Sequence, residues 1–175
     1  MNVRLKIHTR NLKARKENIK RAWKIPDIEK KKFFRFLDES ELGKVNKGKK
    51  ISESRQVKYC DLMKIPLEFW NKAITQLKLK DLEAFENALC SGGIKSKRSG
   101  NEFSESTKVD IRKLIKIYFK WRLGEEKALK LTGWLDTKAP TKTPYFLSEE
   151  EVEILYRSCR NARERYLVAV LFDSG

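Results

Sequence analysis

The sequence has little to offer metal or thiol chemistry. His8 is its one histidine, and its three cysteines, Cys60, Cys90 and Cys159, are odd in number and far apart. No CxxC pair or other zinc-like spacing occurs, so neither a metal nor a cofactor is expected. The thiols read as small, semi-buried side chains in a reducing cytoplasm. Also missing is a run of the ~20 apolar residues that crossing a bilayer requires. The opening MNVRLKIHTR has neither the apolar centre nor the small-residue cleavage site of a secretory signal. These absences point away from metalloenzymes, disulfide scaffolds and membrane spans, and toward a cytoplasmic protein.

Acid is scarce relative to base. Against 40 Lys+Arg there are 24 Asp+Glu, leaving a formal charge of +16 on 175 residues. Such a balance bears on partners rather than on fold, and polyanions are the natural partners, nucleic acid first.

What the chain does have is helical periodicity. In FSESTKVDIRKLIKIYFKWRLG (residues 103–124), Ile111, Leu114, Ile115 and Tyr118 recur at i, i+3, i+4, i+7, and Trp121 continues the row. Ser104 suits the N-cap and Gly124 the left-handed C-terminal stop. On the other face Lys108, Arg112, Lys116 and Lys120 recur every four residues, backed by Lys113. With Asp110 as the one nearby carboxylate, this reads as a ridge of one sign, suited to lying against an anion.

Residues 1–25 are dense in cations and carry a single acid, Glu17. They read either as a solvated arm or as an arm that orders on phosphate, with a helix from about Thr9. Pro26 opens a helix whose Phe33, Phe34, Phe36 and Leu37 read as core. Residues 39–50, with two glycines and no periodicity, read as a mobile basic loop. Ser52 or Ser54 caps the next helix, which turns Arg55 and Lys58 away from Val57 and Leu62 and ends or kinks at Pro66. A helix from about Leu79 turns Leu82, Phe85, Ala88 and Leu89 inward and closes at Gly92 and Gly93. A hairpin-like excursion then carries Lys95, Lys97 and Arg98. After Gly124, Leu129, Leu131, Trp134 and Leu135 are expected to cover the end of a bundle.

Two prolines, threonines and lysines make residues 136–145 an extended linker. Beyond it, Ser148 and Glu151 form a capping box. Asn161 separates that helix from an almost wholly apolar one, residues 166–172, which is expected deep in a core. The expected division is a basic arm (1–25), an all-α helical bundle (26–135), a linker, and the first helices of an unfinished second lobe (146–175).

Four stretches resemble the tyrosine recombinases of the integrase and Xer type. Ile51 and Ser52 through Tyr59 are similar to the start of that family's early DNA-gripping helix, and residues 79–85 (LKDLEAF) to a second helix. Phe103 and Ser104 through Trp121 resemble a third, with Tyr118 and Phe119 on its aromatic pair. Phe146, Leu147, Ser148 and Glu149–151, with residues 161–165 and 173–175, look like the opening of the catalytic domain. Glu53 and Glu105 stand where the family has prolines.

The resemblance implies a SAM-like core-binding domain that grips duplex DNA at a recombination site for integration or excision. It implies other recombinase subunits as further partners, in a tetramer on DNA. Carried over, it places Arg55, Lys58, Lys108 and Arg112 at the groove or phosphates, with Lys116 on the same ridge and Lys95, Lys97 and Arg98 on the backbone beside them. The family's catalytic arginine, lysine, His/Arg pair and tyrosine nucleophile would all fall after Gly175, so no catalytic residue is expected. Arg163, Arg165, Tyr156 and Tyr166 do not substitute for them. A stand-alone DNA-binding architectural or regulatory protein derived from an integrase is the alternative.

Overall fold

A computed structural model describes residues 11–97, 99–138 and 146–173. Eight α-helices and no strand occur among these described residues: α1 Leu12–Ala22, α2 Asp27–Glu41, α3 Glu53–Trp70, α4 Leu79–Cys90, α5 Glu105–Leu123, α6 Glu125–Thr132, α7 Glu149–Ser158 and α8 Ala162–Asp173. The chain is all-α. It divides into two compact units, Met1–Pro140 and Thr141–Gly175, each described by itself.

In the first unit α3 is the hub, touching α1, α2, α4 and α5. The core it organises is aromatic. Phe33, Phe36, Tyr118 and Phe119 are fully buried, and Tyr118 meets Phe36 edge-on at 5.0 Å and Phe33 at 5.7 Å. Each such side chain contributes roughly 1.5–3 kcal/mol by leaving water, and favourable ring pairs add about 0.5–1.5 kcal/mol. The apolar face of α5 is the one its sequence shows: Ile111, Leu114, Ile115 and Tyr118 are all buried. Ser104 caps it by accepting the Thr107 N–H, and Gly124 ends it at φ 84°.

One acid lies inside this core. Glu29 is fully buried on α2 and accepts the Ile74 N–H at 3.2 Å, the Tyr118 hydroxyl at 3.3 Å and the Arg122 guanidinium at 3.3 Å. The pattern of phenylalanines around it marks α2 as core without revealing that a carboxylate joins them. The acid is tolerated because donors from α5 and from the turn after α3 meet it.

Several expectations need correcting. From residue 12 onward the basic arm is part of the bundle, because Ile19 on α1 and Trp23 just after it are buried in the common core. Asn11 is the α1 cap, and the stretch around Thr9 lies outside the described residues. Pro66 does not end α3, which continues for four more residues. A mid-helix proline forfeits a backbone bond to residue i−4 and costs about 3 kcal/mol. Burial of Pro66, Leu67 and Trp70, with the Trp70 indole donating to the Asp81 carbonyl at 3.0 Å, offsets that loss. The helix stops instead at Asn71, which takes the left-handed conformation and returns its N–H to the Leu67 carbonyl. In α6 and the turn after it, Ala128, Thr132 and Leu135 are the buried positions while Leu129 and Trp134 remain exposed.

The residue 39–50 loop also differs from expectation. Helix α2 runs to Glu41, and the chain then enters a closed turn. Gly43 and Lys44 donate N–H groups back to Ser40 and Glu39, Gly48 donates to Gly43, Lys49 to Asn46, and Ile51 to Ser40. A backbone that satisfies this many of its own polar groups is a defined turn.

In the second unit Ser148 and Glu151 exchange bonds as a capping box, at 3.2 and 2.9 Å. Helix α7 ends at Ser158 with Cys159 as its C-cap, short of the expected break at Asn161, which instead accepts the Glu164 N–H at 3.0 Å at the start of α8. The expected deep burial of residues 166–172 is not found: Tyr166 is 70 % and Leu171 71 % exposed, and no described residue of α7 or α8 is buried. A helix that is apolar nearly all round needs partners on several sides, and α7 covers only one.

Candidate nucleic-acid interface

The α5 row is the feature that sequence spacing makes most conspicuous. The structure turns half of it inward. Lys108 is 5 % exposed and reaches Glu105 at 2.9 Å; Arg112 is 9 % exposed and holds the Glu86 carboxylate of α4, its Nε at 2.7 Å. Glu86 also accepts from the Cys90 thiol, and Arg112 donates to that sulfur at 3.2 Å. Glu105 raises the Lys108 pKa and Glu86 raises that of Arg112, chiefly through these hydrogen bonds. Lys116 donates to the Gly133 carbonyl at 3.3 Å, and Lys120 pairs with Glu125. Lys113 stays exposed without an ionic partner among the described residues.

The expectation of an open ridge of one sign along α5 is therefore corrected. Carboxylates from α4, from the first turn of α5 and from α6 meet it, and periodicity within one helix cannot register them. Arg112 braces α5 against α4, and Lys108, mostly buried, is held by Glu105 of its own helix.

The remaining nominated side chains separate. Lys58 pairs with Asp110 at 2.6 Å, both about half exposed. Lys97, largely exposed, meets Glu68 at 3.1 Å. Lys95 is exposed and forms an isolated antiparallel bridge with Glu102, giving the hairpin-like excursion its shape. Arg98 lies outside the described residues. Arg55, in the first turn of α3, is exposed and has no acidic partner among the described residues.

Arg55 has company that the sequence reading missed. The closed turn before α3 carries Lys44, Lys47, Lys49 and Lys50, all exposed and without an ionic partner among the described residues. Between this turn and α3 lies a cavity of about 360 Å³, lined by Asn46, Lys50, Ser52, Arg55, Tyr59 and Ile117 among others. The signal was present as G-K-x-x-K-G-K-K with an arginine five residues on. Lacking helical period, it reads from sequence as a mobile basic loop. The turn geometry converts it into a group of cations at one end of α3.

Of the three thiols, expected to be semi-buried, Cys60 is buried, Cys90 exposed and Cys159 intermediate. Burial pushes the Cys60 pKa up to about 12. Burial, then the bond to Glu86, raises that of Cys90, the opposite of what a reactive thiolate needs. No helix among the described residues is long and apolar enough to cross a membrane. Comparisons with family models, with curated proteins and with solved structures found no match to this chain.

Proposed function

We infer that this chain grips duplex DNA, as the core-binding part of a tyrosine recombinase acting in DNA integration or excision. The observation that carries the reading is the group of unpaired cations where the residue 42–50 turn meets α3: Lys44, Lys47, Lys49, Lys50 and Arg55. Glu39 lies within electrostatic range of Lys44, and Glu125 of Lys47, without closing an ion pair. The five exposed cations outnumber them, and exposed charge of one sign in excess attracts a polyanion over a long range and supplies the sequence-independent part of nucleic-acid affinity. The net charge of +16 points the same way. The SAM-like character of the helical unit and the recombinase relationship rest on the sequence resemblance at residues 51–59, 79–85 and 103–121. Of the two helix edges that resemblance nominates, the start of α3 stays available, whereas Lys108 and Arg112 on α5 do not.

The test is a fluorescence-anisotropy titration of labelled duplex over a salt series. Association should weaken steeply as salt rises, log K falling by about 0.9 per log unit of salt for each phosphate neutralised. Affinity that is absent at low salt, or indifferent to salt, would sink the reading.

A further inference from the structure

We propose that the cavity at the start of α3 is a phosphate pocket that takes one backbone phosphodiester of the bound nucleic acid. This rests on the DNA-binding reading above and says where one contact falls and which groups make it. At about 360 Å³ the cavity lies near the lower end of the roughly 300–1,000 Å³ of ligand pockets, a size suited to one sugar–phosphate unit.

Its polar lining consists of groups that can donate, with no carboxylate. Lys50 enters from the turn and Arg55 from the helix. Ser52 occupies the α3 N-cap, but its hydroxyl makes no capping bond. The Arg55 N–H is taken by the Ser52 carbonyl at 3.0 Å, so this end of the 18-residue helix contributes its positive dipole rather than that N–H. The neighbouring acid, Glu53, is engaged elsewhere, accepting the Leu12 N–H at 3.1 Å.

Tyr59 adds a third donor to the lysine and the arginine. It lines the same cavity at 8 % exposure, its ring stacked on Phe36 with centroids 6.0 Å apart, and its hydroxyl has no hydrogen-bond partner among the described residues. The hydroxyl is not among the buried polar atoms left without a partner, so it reaches solvent and is open to donate to a ligand. An ammonium, a guanidinium and a hydroxyl free to donate, lining one cavity with no carboxylate, suit an acceptor-only anion, and phosphate oxygens fit that description.

The phosphate could belong to a polynucleotide or be free, and the experiment separates these sources using the full chain. One arm titrates inorganic phosphate while following NMR signals of the Arg55 guanidinium and the Tyr59 ring. The other measures duplex affinity across salt for Lys50→Gln, Arg55→Gln and Tyr59→Phe, with Lys127→Gln on α6 as an exposed control. Circular dichroism checks that each variant is folded.

Lys50→Gln and Arg55→Gln should each weaken duplex binding several-fold and reduce the salt slope by about one. Tyr59→Phe keeps the ring and the net charge, so it should weaken binding a few-fold at unchanged slope. It should also blunt the response to phosphate. If Tyr59→Phe matches the parent in both arms, or the Lys50 and Arg55 variants do no more than Lys127→Gln, the pocket is overturned while the DNA reading stands. If phosphate moves the Arg55 and Tyr59 signals but duplex never binds, the phosphate chemistry stands and the DNA reading falls. Silence in both arms overturns both.

Discussion

Arg55 and Arg112 carry the same guanidinium on packed helices and end in opposite situations. Arg112 sits between α4 and α5, its charge spent on Glu86. Arg55 sits at the mouth of α3, its charge unmet beside Lys50. Neither outcome is written in the helix that bears the residue. Arg112 belongs to a regular row that looks external, yet an acid 26 residues earlier closes on it. Arg55 has an undistinguished setting until the turn before it folds back. Whether a cation serves the protein's own cohesion or an outside anion is decided by what the neighbouring elements bring to it.

The largest expected break in this contrast is Arg112→Ala. Removing one member of a mostly buried ion pair leaves Glu86 uncompensated, and its second oxygen already has no partner among the described residues. The cost should be about 3 kcal/mol of stability, read by urea unfolding. If Arg112→Ala is as stable as the parent yet loses DNA affinity, the assignment of Arg112 to the bundle is wrong.

A smaller effect is expected from Lys108→Gln. Its partner Glu105 is largely exposed, so the loss should stay below about 1 kcal/mol, with duplex affinity within error of the parent. A several-fold drop in affinity at unchanged stability would move Lys108 to the DNA side of the comparison.

The mildest probe is pH. The Trp121 indole at 2.7 Å, then Arg35, hold the Glu39 carboxyl below its ordinary 4.5. A carboxyl whose pKa is lowered by folding contributes stability that is fully present above the unfolded value and is lost as pH falls through the folded one. Stability should therefore decline as pH drops below about 4.5, and Glu39→Gln should make that decline shallower. A Glu39→Gln profile parallel to the parent's would remove this acid from the account.

The parts of the structure that were legible in the sequence are those governed by local rules. The inward face of α5 and the caps at Ser104 and Ser148 each depend on residues close together along one helix, and all are found. What escaped depends on distant residues. The continuation of α3 through Pro66 is held by Trp70 reaching Asp81; the burial of Ile19 and Trp23 is held by a core assembled from other helices. The candidate site divides the same way. Arg55 was named from its helix. The lysines beside it were passed over because a turn has no period, and Lys108 and Arg112 were nominated because a helix does.

The position that arranges this charged end carries no charge. Gly43 is buried at φ 81°, and a methyl group placed there would stand 2.6 Å from the Gly48 carbonyl oxygen. Nothing larger than hydrogen lets the two glycines touch, and the Gly48 N–H to Gly43 carbonyl bond at 2.9 Å closes the turn that carries Lys44, Lys47, Lys49 and Lys50. Four ammonium groups thus owe their stations to one missing β-carbon. The electrostatics of this surface could be dismantled by an alanine, with every lysine and arginine still in the chain.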